Sequence, residues 1–177
     1  MSGGLRLFFA LWPSPVETEA LLEAAAPALV ACRARPVPAE RLHLTLAFLG
    51  QADEGQLAAV HEAAGRLVAP RLGVTLEALD CWRRPQVLIA RPMGATTELV
   101  AAAARLWQLL GQVGFEPETR PYRAHVTLAR KVRAEPAEGL PRLTGPVSWR
   151  HSEFVLVNSV SGPEGLSYHI IGRWPLG

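Results

Sequence analysis

The tetrapeptide His43-Leu44-Thr45-Leu46 returns as His125-Val126-Thr127-Leu128, and this recurrence constrains the chain more than any other feature. Successive side chains of a strand alternate between faces, so His43 and Thr45 share one face while Leu44 and Leu46 share the other. The second copy divides in the same way. Each copy reads as a strand with an apolar face for a core and a second face carrying an imidazole and a hydroxyl. A lone His-x-Thr is ordinarily the wet side of a half-buried strand. Two copies in matching surroundings point to function instead.

The surroundings do match. Leu5 to Trp12 is short, apolar apart from Arg6, and stopped by Pro13, the pattern of a buried strand. Ser14, Pro15 and Glu17 supply a cap, a first-turn proline and the acid of a capping box, which predicts a helix to about Ala31. Arg35-Pro36 follows, and the His43 strand is expected to run to Phe48-Leu49 and stop at Gly50. In the second half Gln86 to Arg91 is a strand. Thr96 or Thr97 then starts a helix faced by Leu99, Val100, Ala103, Leu106, Trp107 and Leu110 and closed by Gly111 and Gly114. Arg120-Pro121 leads into the His125 strand. Strand, helix and His-x-Thr strand thus occur twice, the pattern of a duplicated half-domain. The expected architecture is α+β, one bilobal domain over residues 1–177. A local two-fold relation between the halves would aim both imidazoles into one cleft.

Elsewhere, Asp53 with Gln56 opens a helix to about Val68. Gly73 to Trp82 is expected to form a hairpin with Gln86 to Arg91 around Arg83-Arg84-Pro85. The stretch to about Pro146 reads as irregular surface. Val147 to Asn158 and Leu166 to Trp174 read as strands joined by a turn over Ser161-Gly162-Pro163-Glu164-Gly165.

Composition narrows the class. A chain of 177 residues suits one domain or two small lobes sharing a core, and a net charge of +2 is too mild to announce a nucleic-acid protein by itself. The basic residues are nearly all arginine, the planar fork that suits phosphate, since Lys131 is the only lysine. Cys32 and Cys81 are too few for a disulfide framework and match no ligand spacing. Met1-Ser2-Gly3-Gly4 lacks the charged start and apolar run of a signal peptide, and no stretch reaches membrane-spanning length. A cytoplasmic monomer with no membrane contact is the expectation.

Two opposed histidines with hydroxyls beside them suit in-line displacement at phosphorus. Histidine alone has an ordinary pKa near neutrality, so one member of a pair can act as base while the other acts as acid. Thr45 and Thr127 are placed to donate to non-bridging phosphate oxygens, and Arg130, if the second strand continues to that point, to add positive charge.

The segments His43-Leu44-Thr45-Leu46-Ala47-Phe48-Leu49-Gly50 and Arg120-Pro121-Tyr122-Arg123-Ala124-His125-Val126-Thr127-Leu128-Ala129-Arg130 resemble the two signature motifs of the 2H phosphoesterases. Within that superfamily they are most similar to the bacterial and archaeal RNA 2′,3′-cyclic phosphodiesterases, once described as 2′-5′ RNA ligases. Arg6-Leu7-Phe8-Phe9-Ala10 and Tyr168 to Leu176 match in position and character as well. Ala124 departs from the pattern, where a proline is common. The resemblance implies the LigT-like fold, with antiparallel-rich sheets around a central cleft. It also implies metal-independent opening of an RNA 2′,3′-cyclic phosphate end to a 2′-phosphomonoester, with no cofactor. His43 would protonate the departing 3′-oxygen, His125 would activate water, Thr45 and Thr127 would bind phosphate, and Phe48 would offer a stacking surface for a base. Reversible 2′-5′ ligation in the same cleft and a non-catalytic RNA-end module are the alternatives.

Other residues fit this chemistry less well. His61 is expected to be solvated, and His151 and His169 structural, although His169 is placed to approach the cleft. No His/Cys/Asp cluster offers a zinc site. Arg33, Arg35, Arg41, Arg120, Arg123, Arg130 and Arg133 crowd both motifs and suggest contact with an RNA terminus.

Overall fold

The capping box at Ser14 forms as its sequence predicts. The Glu17 N–H donates to Ser14 Oγ at 3.3 Å, and the Glu17 carboxylate accepts from the Ser14 N–H at 2.8 Å. The computed structural model describes residues 4–133, 139–163 and 165–177. Met1-Ser2-Gly3, residues 134–138 of the irregular stretch, and Glu164 of the last turn lie outside the described residues.

In chain order the strands are β1 (Leu5–Leu11), β2 (Arg35–Pro36), β3 (Leu44–Ala52), β4 (Leu72–Leu76), β5 (Ala78–Arg83), β6 (Gln86–Arg91), β7 (Val126–Arg130), β8 (Val147–His151), β9 (Glu153–Gly162) and β10 (Gly165–Pro175). The helices are α1 (Pro15–Ala31), α2 (Leu57–Gly65) and α3 (Thr97–Gly111). The main sheet runs β10-β9-β1-β3-β7-β6-β5, with β2 alongside β7, and β4 pairs with β8 in a separate ribbon. All the pairings are antiparallel. The two His-x-Thr strands are neighbours at the centre, where Leu44 is the register partner of Val126.

Alternation decides which face holds the core. Leu44, Leu46, Val126 and Leu128 are buried with Leu7, Phe9 and Leu11 in the main cluster, which the helices cover. Fully burying each such side chain is worth about 1.5–3 kcal/mol. Helix α1 packs on β7 and α3 on β3, so each half's helix lies over the other half's motif strand. Phe8 and Ala10, on the opposite face of β1, join Val155 and Val157 in a second, smaller cluster. That opposite face is the one bearing the histidines.

Three strand expectations are corrected. Strand β3 continues through Gly50 to Ala52, because the glycine takes a left-handed φ of 72° and the β1–β3 register shifts beside it, leaving Leu49 as an extra bulged residue. Gly73 to Trp82 is two strands meeting at Glu77. There the Glu77 N–H donates to the Arg91 carbonyl and its carboxylate accepts from the Met93 N–H, which holds a corner. Val147 to Asn158 likewise breaks at Ser152, whose carbonyl accepts from the Leu176 N–H at 2.7 Å. In both cases the first segment finds its partner in the ribbon and the second in the main sheet. The second helix also starts later than expected. Gln56 accepts from the Asp53 N–H at 3.0 Å, but one 3₁₀ turn precedes α2, which ends at Gly65.

Candidate active site

His43 and His125 each sit one residue ahead of their strands, and both rings are anchored by the same local bond. Nδ1 of His43 lies 2.7 Å from the Arg41 carbonyl oxygen, and Nδ1 of His125 lies 2.7 Å from that of Arg123. A carbonyl only accepts, so each Nδ1 carries the hydrogen. Proton exchange is thereby left to the two Nε2 atoms. The Leu44–Val126 register, with antiparallel alternation, sets Thr127 across from His43 and Thr45 across from His125. All four side chains line one cleft of about 1480 Å³, together with Arg130 and Phe48.

The environments of the two rings differ. His43 has Phe8 at 4.8 Å between ring centres, Trp12 stacked at 5.4 Å with an interplanar angle of 4°, and Tyr168 edge-on at 5.5 Å. Burial among them pushes its pKa down to about 4, opposed by the bond to Arg41 and reinforced by the positive charges of Arg130 and of protonated His125. His125 has one tilted neighbour, Trp82, at 4.6 Å. Burial lowers its pKa too; the Arg123 carbonyl and Glu118 oppose that shift, while the Arg123 charge adds to it. At neutral pH both rings are therefore mainly neutral in this environment. An acid in this pair takes up its proton together with a bound anion, whose charge offsets the desolvation.

None of Phe8, Trp12, Tyr168 and Trp82 was singled out as a site residue from the sequence. The signal for two of them is the period of two along the first strand, which puts Phe8 and Trp12 on the same side. Tyr122 is a further addition: its hydroxyl donates to the Thr45 carbonyl at 3.0 Å.

The arginine cluster divides. Arg120, Arg123 and Arg130 line the cleft, joined by Arg6 and Arg84, whereas Arg33, Arg35, Arg41 and Arg133 do not. Arg41 instead donates to the Leu166 carbonyl at 2.7 Å, and Arg35 is a β2 residue paired with Arg130. Phe48 is 36% exposed, with the Arg6 guanidinium 5.2 Å from its ring centre. His61 is half-buried rather than solvated, because Trp174 of the last strand packs on it with ring centres 5.1 Å apart. His151 is buried beside Trp149. His169 faces away from the cleft, its Nε2 3.1 Å from Ser167 Oγ, and its neighbour Tyr168 turns inward instead. Among the described residues no three His, Cys, Asp or Glu side chains gather so as to hold a metal ion. Nor, among them, is any helix long and apolar enough to cross a membrane. A second cavity, of about 400 Å³, lies between β4, β8 and the segment leading into α3.

The model of the family described as the 2′-5′ RNA ligase superfamily matches residues 13–163. The chain is 31% identical over 176 residues to an RNA 2′,3′-cyclic phosphodiesterase of Escherichia coli, covering 99% of each. It is 30% identical over 182 residues to the protein of that name from Thermus thermophilus, covering 97% of this chain and 90% of the relative. Its fold superposes on the crystal structure of E. coli LigT complexed with 3′-AMP with a TM-score of 0.88, at 29% identity and coverages of 98% and 99%.

Proposed function

On the premise that the chain belongs to the 2′-5′ RNA ligase superfamily, we propose that it is a hydrolase that opens RNA 2′,3′-cyclic phosphate ends to 2′-phosphomonoesters without a metal or cofactor. The observation that carries this reading is the matched pair of imidazoles, each with Nδ1 bound to a carbonyl and each on the wall of one cleft. His125 Nε2 takes a proton from water, and the water oxygen bonds to phosphorus. The bond from phosphorus to the 3′-oxygen breaks on the opposite side, and His43 Nε2 protonates that oxygen, leaving a 3′-hydroxyl and a 2′-phosphate. Thr45 and Thr127 donate to the non-bridging oxygens, and Arg130 adds positive charge where negative charge builds up. The Trp12 face beside His43 favours the imidazolium once it forms. Phe48 stacks the terminal base. The single chain supplies every group in this scheme, which supports a monomer, and two cysteines, too few for a disulfide framework, support a reducing cytoplasm.

The test is hydrolysis of a nucleoside 2′,3′-cyclic phosphate with and without chelator. Turnover unaffected by chelator is expected. Folded protein giving no product would overturn the hydrolase reading, and product lost to chelator would overturn the metal-free mechanism.

A further inference from the structure

Arg41 and Arg123 occupy the same place in the two halves, two residues ahead of the histidine, and each makes two contacts there. The carbonyl accepts the Nδ1 hydrogen of that histidine, and the side chain reaches the element that covers its ring. The Arg123 guanidinium lies 5.3 Å from the centre of the Trp82 ring, which packs on His125. Arg41 donates from Nη1 to the Leu166 carbonyl at 2.7 Å, and Tyr168, two positions along β10 and on the same face, stands edge-on to His43.

The Leu166 end of β10 needs such a tie. Among the described residues β9 pairs with β1 only from Val155 to Asn158, whereas its pairing with β10 continues to Leu166 with Ser161 and Gly165 with Gly162. The end of this hairpin therefore projects past the sheet as two strands paired only with each other, an arrangement that is marginal on its own in water. Tyr168, the register partner of Ser159, lies in the projecting part. The hydrolytic scheme leaves the Arg41 side chain unused, because it does not line the cleft.

We propose that Arg41 is a positioning residue: by holding the Leu166 carbonyl it keeps the end of the β9–β10 hairpin, and with it the Tyr168 ring, seated against His43. The inference rests on the hydrolase reading, in which His43 is the acid, and adds to it a residue that touches neither substrate nor reacting atoms. Loosening this seat admits water to the imidazole, and water restores the charged form that burial disfavours. The charged and titratable groups facing His43 are Arg130, His125 and Tyr168, and the Arg41 carbonyl on Nδ1 survives any change of the Arg41 side chain.

Arg41→Met keeps the length of the side chain and removes the donor. In NMR titration of the free protein, with the His43 ring signals assigned by their loss in His43→Ala, this variant is expected to raise the His43 pKa from about 4 toward the ordinary 6.5. Its kcat, read at its own optimum pH, is expected to fall by up to about 100-fold, the cost of misplacing a reacting group by about 1 Å. Arg41→Lys, whose ammonium can make the same single bond, is expected to keep both values near wild type. In a Tyr168→Ala background Arg41→Met should add little to either change, whereas the mere loss of a charge would add in full. A His43 pKa unmoved in Arg41→Met, raised as far in Arg41→Lys, or fully additive with Tyr168→Ala would overturn the positioning role. Absence of turnover in the wild type would overturn the hydrolase reading, and the titration would still decide whether Arg41 seats the ring.

Discussion

The hydroxyl of Tyr122, from the segment leading into the second motif, donates to the main-chain carbonyl of Thr45 in the first motif at 3.0 Å. Burial raises the phenol pKa well above its ordinary value, so the group stays a donor at any working pH. The bond ties together two strands that share one register pair, Leu44 with Val126. Its loss should therefore loosen the spacing of the catalytic groups as well as the fold. Tyr122→Phe is expected to cost about 0.5–1.5 kcal/mol in denaturant unfolding and to lower kcat several-fold without moving the pH optimum. A variant with wild-type stability and kcat would show that the bond couples nothing.

Replacing either His43 or His125 by Ala is expected to reduce kcat about 10²- to 10⁴-fold while the folded state persists, since neither ring is a core side chain. The double variant should be little worse than the poorer single one, because acid and base act on one displacement. Additive losses would mean that the two residues serve separate steps.

The pH profile follows from the direction of both pKa shifts. The reactive form holds one proton on the pair. With His43 held at about 4 and His125 also below 6.5, the free enzyme loses that proton as pH rises through the upper value. The maximum of kcat/KM is therefore expected below pH 6.5, where the free enzyme still carries it. A bound phosphodiester anion raises both pKa values, so the kcat maximum should lie at higher pH. Steady-state rates across pH 4 to 9 measure both. A kcat/KM that stays flat or climbs from pH 6.5 to 8 would contradict the arrangement.

Glu17 ties the start of α1 to β8, accepting from the Ser14 N–H at 2.8 Å and from the Arg150 N–H at 2.9 Å. Burial alone would raise its pKa, but these bonds outweigh burial and hold it below the ordinary 4.5. The carboxylate's contribution is thus present above that value and disappears as pH falls through the lower, folded one. Glu17→Ala is expected to cost about 0.5–2 kcal/mol at pH 7, as for other helix caps, and Glu17→Gln less. The difference between wild type and Glu17→Gln should shrink toward pH 3 in thermal melts. A constant difference would assign the effect to packing.

Much of the fold and of the candidate site was legible in local pattern. The cap at Ser14, the alternation around His43 and His125, and the apolar stripe of α3 are short-range periodicities, and periodicity carries through to which face is buried. The break at Glu77 was not legible, because the alternation of Val74, Leu76 and Ala78 continues across it, and the polar run His151-Ser152-Glu153 does not by itself say that the strands on either side of it join different sheets. What splits each run is a partner strand more than seventy residues away in the β4–β8 ribbon.

The sequence by itself determined the chemistry available: two imidazoles, each with a hydroxyl two positions on and a core-facing residue between them. Tertiary structure alone decided how those imidazoles are poised. Phe8, Tyr168 and Trp82 come from strands near both ends of the chain and in its middle, Trp12 follows the end of β1, and only their packing removes the water that would keep a histidine near its ordinary pKa. Desolvation is a property of everything that surrounds a group. Residues adjacent along the chain supply only part of that surround.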